Sequence, residues 1–156
     1  MKRSTLLFAA AVLLSAIITR AQTTAPAFTD EDLKKYAITM DSVNDMKQTL
    51  TATITEMVQK NTVMSVPRYN ELFKIIGDEA KLAETKATPE EIAFVKQVAT
   101  KRADETAKIN ATYQALAKDY VGLKAFNAIK KSIATDESVK AKYETIAKEL
   151  DTKGGD

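Results

Sequence analysis

The chain contains itself twice, and that repetition constrains its fold more than any single residue does. Thr29-Asp30-Glu31-Asp32-Leu33 returns 59 positions later as Thr88-Pro89-Glu90-Glu91-Ile92, each time opening a long helical pattern. The apolar positions then keep step: Leu33 with Ile92, Tyr36 with Val95, Met40 with Ala99, Leu50 with Ile109, Ile54 with Tyr113 and Met57 with Leu116. Further on, Tyr69-Asn70-Glu71-Leu72 answers to Phe126-Asn127-Ala128-Ile129 at an offset shortened to 57. A period just above that of ordinary solenoid repeats, present only twice, marks a duplicated helical unit. The expectation is an all-α helical bundle of two long-helix/short-helix units, at about 30–86 and 89–150, related by an approximate internal two-fold.

Local signals agree with that architecture. Only four glycines and three prolines occur in 156 residues, which favours an all-α chain. After a linker at 22–29, Asp30 or Thr29 caps a helix whose first turn is acidic, as the helix dipole prefers. Its apolar seam runs Leu33, Tyr36, Met40, Val43, Lys47, Leu50, Ile54, Met57, a heptad pattern broken only by Lys47. The helix is predicted to reach about Asn61, some 46 Å at about 1.5 Å per residue. Residues 49–55 alternate with period two and are rich in Thr, a strand signature. Their counterparts at 108–114 have no such character, so helix is expected there too.

In the second copy Thr88 caps, Pro89 takes the first helical position and Glu90 and Glu91 fill the first turn. The seam continues Ile92, Val95, Ala99, Arg102, Thr106, Ile109, Tyr113, Leu116, Tyr120. A short loop and a short amphipathic helix should follow each long one, with stripes Tyr69, Leu72, Phe73, Ile76 and Leu123, Phe126, Ile129, Ile133. Asp78 and Asp136 stand at equivalent breaks as N-caps of a following helix. The last helix carries Val139, Tyr143, Ile146 and Leu150, closing one domain at 30–151 before a flexible tail at 152–156. Leu50, Ile54, Tyr69, Phe73, Ile109, Tyr113 and Phe126 are the expected large core residues.

The first residues read as a secretory signal peptide at 1–21: Lys2 and Arg3, an apolar run from Leu6 to Ile18, then Thr19-Arg20-Ala21 as a cleavage site before Gln22. That run falls short of the roughly 20 apolar residues of a spanning helix, so no membrane span is expected after processing. No Cys follows the run, which excludes a lipoprotein anchor. Removing Lys2, Arg3 and Arg20 turns 23 basic residues into 20 against 21 acidic ones, and the formal charge from +2 to −1. A near-neutral exported chain, periplasmic or secreted, carries no electrostatic footprint for nucleic acid.

An acidic capped start, a long helix, and then aromatic-Asn-x-aliphatic followed by a helix-breaking Asp resembles the bacterial envelope family catalogued as domain of unknown function 4168. Tyr69, Asn70, Leu72 and Asp78, and again Phe126, Asn127, Ile129 and Asp136, carry the resemblance, which spans Phe28 to about Leu150. Glu79 and Glu137 stand where that family often has Pro. The resemblance implies an exported helical protein and brings no activity with it.

Catalytic equipment is sparse. The chain has no His and no Cys, which removes the commonest general base, the thiol nucleophile and the softer metal ligands. Ser65, Ser132 and Ser138 lie in no nucleophile elbow, and no Gly-rich phosphate loop occurs. Asp41 and Asp45 share a helix face and could join a hard-cation site, but a solvated pair explains them better. The Asn110-Ala111-Thr112 sequon lies mid-helix and reads as chance. No catalytic, metal or cofactor-binding residue is assigned, and the chain is read as no enzyme and as needing no cofactor.

Two further features invite a functional reading. The motif residues Tyr69, Asn70, Asp78, Phe126, Asn127 and Asp136 are best taken as structural, the aromatic anchoring the short helix and Asn bonding to nearby backbone. The copies differ most within the seam, where Val43 answers to Arg102 and Lys47 to Thr106. Lys47, Arg102 and Thr106 would form a polar layer at mid-height, the best candidate for an interior site. There Arg102 would meet a carboxylate or an external anion, and Lys47 would snorkel to the edge. The function expected first is binding an unknown protein partner in the cell envelope, as an adaptor or holdase-like bundle. The alternatives are a self-associating structural coiled coil, hence a homo-oligomer, and a small-anion or ligand-binding bundle built on the polar layer.

Overall fold

Thr29 sets where the first helix begins. Its Oγ1 accepts from the Asp32 N–H at 3.1 Å, while the Asp32 carboxylate accepts from the Thr29 N–H at 2.8 Å, closing a capping box. The computed structural model describes residues 27–153, so the expected signal peptide at 1–21 and most of the linker lie outside the described residues. Helix α1 runs Asp30–Lys60 without interruption. The alternating stretch 49–55 is helical, with the Thr51 hydroxyl donating back to the Lys47 carbonyl at 2.9 Å. Asn61 ends the helix, its side chain accepting from the Val63 and Met64 N–H groups.

Helix α2 (Val66–Phe73) starts at the Ser65 cap, and α3 (Glu79–Glu84) starts where Asp78 accepts from the Lys81 N–H. The chain turns at Lys86, whose φ is +51°, into α4 (Pro89–Ala115). Thr88 and Glu91 repeat the capping box there. Helices α5 (Leu123–Thr135) and α6 (Glu137–Lys153) complete the chain, with Asp136 accepting from the Ser138 and Val139 N–H groups. Helix α6 therefore reaches two residues into the expected tail.

The second copy departs from expectation where its short loop should be. The backbone instead continues from α4 into a π-helical segment, Leu116–Gly122, and breaks only at Gly122, whose φ is +87°. A π turn holds more residues than an α turn, so the apolar seam slips by one position. Ala117 and Val121 are buried in place of Leu116 and Tyr120. Tyr120 is left 41% exposed and Leu123, expected on the buried stripe of α5, 54%.

The core lies in two clusters at opposite ends of an antiparallel α1–α4 pair. One joins Ile54 and Val58 of α1 to Tyr69 and Leu72 of α2, Leu82 of α3, and Val95 and Val98 near the start of α4. The other joins Leu33 and Tyr36 at the start of α1 to Ala117, Val121, Phe126 and Ile129, with Val139, Tyr143 and Ile146 of α6 against them. Phe126 centres the second cluster, 4.8 Å from the Tyr36 ring and 5.6 Å from that of Tyr113. Of the expected core, Ile54, Tyr69, Ile109 and Phe126 are buried, while Leu50, Phe73 and Tyr113 are half-buried. The motif residues Tyr69 and Phe126 are buried in separate clusters, but α3 has 6 residues where α6 has 17, so the all-α bundle stands without a demonstrated internal two-fold. Among the described residues there is no strand, and no helix is long and apolar enough to cross a membrane.

Candidate functional site

Lys47, Arg102 and Thr106 are all exposed, so the expected polar layer is not in the interior. The reason is where the core clusters lie. The buried residues of α4 are Val95, Val98 and Ile109, and at about 100° per residue Arg102 falls between Val95 and Ile109, with Thr106 about 20° beyond Val95, so both stand on the side that faces α1. They are exposed because the two core clusters occupy the ends of the α1–α4 pair and leave an open cleft between its middle turns. No neighbouring helix offers Arg102 a carboxylate: among the described residues it forms no ion pair. Glu105 serves its own helix, taking Lys108 at 2.9 Å and Lys101 at 3.1 Å, which hold its carboxyl below the usual range.

Arg102 instead lies over the Phe73 ring, its guanidinium carbon 5.2 Å from the centroid, a cation–π contact. Phe73 in turn stacks on Tyr69 at 5.6 Å. The Tyr69 hydroxyl is buried and has no hydrogen-bond partner of good geometry. Burial pushes its pKa up, and the neighbouring Arg102 charge opposes that rise. Beside this stack, Leu50, Thr51, Ile54 and Thr55 of α1 face Arg102 and Thr106 of α4 across a cleft of about 210 Å³. Thr106 and Arg102 are thus brought together, while Lys47 contributes only its carbonyl, to Thr51.

The repeat motif divides by residue. Tyr69 and Phe126 anchor their helices in the core, and Asp78 and Asp136 cap the next ones, as expected. The side chains of Asn70 and Asn127 are exposed and form no hydrogen bond among the described residues, which corrects the expected Asn-to-backbone bond. Both point outward because burying the aromatic ring next to them commits the adjacent helix position to solvent.

Sequence reasoning missed Arg68. Its guanidinium meets Glu91 through Nε at 3.2 Å and Nη2 at 3.3 Å, the Thr85 carbonyl at 3.0 Å and Glu71 at 2.9 Å. This fork ties α2 to the turn before α4 and to the α4 capping box. Only the Glu71 contact, three residues away, was legible as a spacing. Also missed were four exposed large apolar side chains: Val63 (44%) and Val66 (41%), and Tyr120 and Leu123. Each pair is three apart, and the pairs stand 57 positions apart, the offset of the repeat motif.

Asp41 lines a cavity of about 600 Å³ between α1 and α6 with Tyr143 and Asp151. Burial, then Asp45 and Asp151, raise its pKa. Among the described residues no group of three or more carboxylates is placed to hold a metal ion. No family profile, curated protein or solved structure matches this chain, so its site is read from its own geometry.

Proposed function

We propose that the chain is exported to the bacterial envelope and acts there as a non-enzymatic, protein-binding helical bundle of the holdase-like or adaptor kind. The observation that carries this reading is the placement of the exposed apolar side chains. Single exposed apolar residues are ordinary. Here Val63 and Val66 follow the end of α1, while Tyr120 lies against Lys35 near its beginning, 5.8 Å from ring centroid to Nζ. From Lys35 to Lys60 the helix rises roughly 38 Å, so two small apolar contacts stand at opposite ends of one helix pair. Two weak contacts on one body favour a long apolar stretch of another polypeptide, because the second contact forms at high effective concentration. The resemblance to an envelope family and the signal-peptide pattern point to the same compartment.

An aggregation assay tests this, with light scattering from a heat-unfolding model client as the readout. The chain should suppress client aggregation, Val66→Ser or Leu123→Ser should each weaken the effect, and the double variant should abolish it with unchanged far-UV circular dichroism. Suppression by the double variant equal to that of the unaltered chain overturns the reading. A chain mass that rises with concentration, and stops rising in the same double variant, replaces it with self-association.

A further inference from the structure

The cleft between the middle of α1 and α4 has the composition of a small-anion site, and it is independent of the apolar pairs. Its floor is apolar, from Leu50 and Ile54, and its rim carries the hydroxyls of Thr51, Thr55 and Thr106. Thr51 is engaged with the Lys47 carbonyl, whereas Thr55 and Thr106 donate to no group among the described residues. Arg102 supplies one positive charge, held by its stacking on Phe73 and matched by no carboxylate among the described residues. From the buried side comes a second donor. Tyr69 is 4% exposed and lies behind the cleft, outside the residues that line it; its hydroxyl makes no hydrogen bond of good geometry, and Arg102 is near enough to act on it by charge and by a weak hydrogen bond. A buried hydroxyl without a partner is costly, and one beside a guanidinium is suited to donate to an anion that the guanidinium holds.

We infer that this cleft binds a monocarboxylate with a short aliphatic stem, through Arg102 and the Tyr69 hydroxyl, with Thr55 and Thr106 at the rim. The planar guanidinium fork matches the two oxygens of a carboxylate. A single cation also balances a single negative charge; a phosphate dianion would bring surplus charge into a partly desolvated cleft. Leu50 and Ile54 give the stem an apolar surface. The carboxylate belongs either to a free short-chain acid or to the C-terminus of a peptide, and the same groups would recognise both.

The test is a titration of the 15N-labelled chain with sodium butyrate at constant ionic strength, followed through the Arg102 Nε–Hε signal and the amides of Thr55 and Thr106. The expected result is a saturable shift that Arg102→Gln abolishes and that Tyr69→Phe weakens roughly tenfold, the loss of one hydrogen bond to a charged group. Arg102 is exposed, so its variant leaves the fold intact and the test interpretable. Shifts that stay linear in butyrate, persist in Arg102→Gln, or saturate with phosphate and not butyrate overturn the inference. A Tyr69→Phe chain that binds like the unaltered one overturns the role of the buried donor. Short peptides with free and amidated C-termini separate the sources. Tighter binding of the free form alone assigns a chain terminus; weaker binding of both assigns a free acid.

Discussion

Truncating Leu72 and Ile129 to Ala probes the two core clusters at once. Each side chain is fully buried, at 0% exposure, and the two lie in clusters at opposite ends of the α1–α4 pair. Either change removes apolar carbons worth about 0.8 kcal/mol per methylene, a transfer loss of about 2.4 kcal/mol. A residual cavity of about 50 Å³ would add about 1.2 kcal/mol, for a total near 3.6 kcal/mol. With a urea m-value of about 2 kcal/mol/M, the midpoint should fall by roughly 1.8 M in each single variant. Because the clusters share no side chains, the losses should add to within about 0.5 kcal/mol. The gentler Ile129→Val, at about 1 kcal/mol, allows the cycle with Leu72→Ala to be measured while the chain is still folded. Urea unfolding followed by circular dichroism decides it. A single loss below about 1.5 kcal/mol for either truncation, or a double variant off the sum by more than about 1 kcal/mol, would refute the two-cluster account. Leu123→Ala is the control: half exposed, it should cost less than about 0.5 kcal/mol.

Gly122 has φ +87° and open space where a Cβ would stand, so Gly122→Ala should cost only the backbone strain, about 1–2 kcal/mol, read by urea midpoint. Thr88→Ala removes the capping hydroxyl of α4 and should cost about 1 kcal/mol in the same assay. Glu91 is held below its ordinary value of 4.5 by Arg68 and then by the Thr88 N–H. Its contribution is therefore present above pH 4.5 and is lost as pH falls through the lowered value; Glu91→Gln should flatten the acid limb of a stability-versus-pH curve. Asp41 has the opposite sign, because burial and then Asp45 and Asp151 raise its pKa above 3.8. Its stabilisation is lost as pH rises through the raised value, so Asp41→Asn should raise the melting temperature at neutral pH and not near pH 3, within about one unit of the reference value. Mass spectrometry of exported material should find a chain beginning at Gln22.

Helix starts were legible because their causes are local. The Thr29 and Thr88 caps, the acidic first turns and the Asp78 and Asp136 breaks depend on neighbours three or four residues away, and each stands where the sequence places it. The internal offset also told which aromatic residues anchor the short helices. The seam of α4 names the side that faces α1, but burial along it depends on what packs there, and between the two clusters an open cleft leaves Arg102 and Thr106 exposed. Nothing local announces the π-helical segment after Ala115, yet that one wider turn exchanges Tyr120 for Val121 at the core.

What the sequence determined, then, is the helical content, the caps and the repeated aromatic anchors, all products of short-range sterics and hydrogen bonding. What the tertiary structure alone decided is where the polar seam residues fall. Arg102 and Thr106, interior by their sequence positions, form the wall of an open cleft. The Arg68–Glu91 fork, the stacking of Arg102 on Phe73 and the buried Tyr69 hydroxyl beside it join residues 23, 29 and 33 positions apart. Such contacts are set by which helices pack together and where along their length, and a seam position stays exposed where no core cluster covers it.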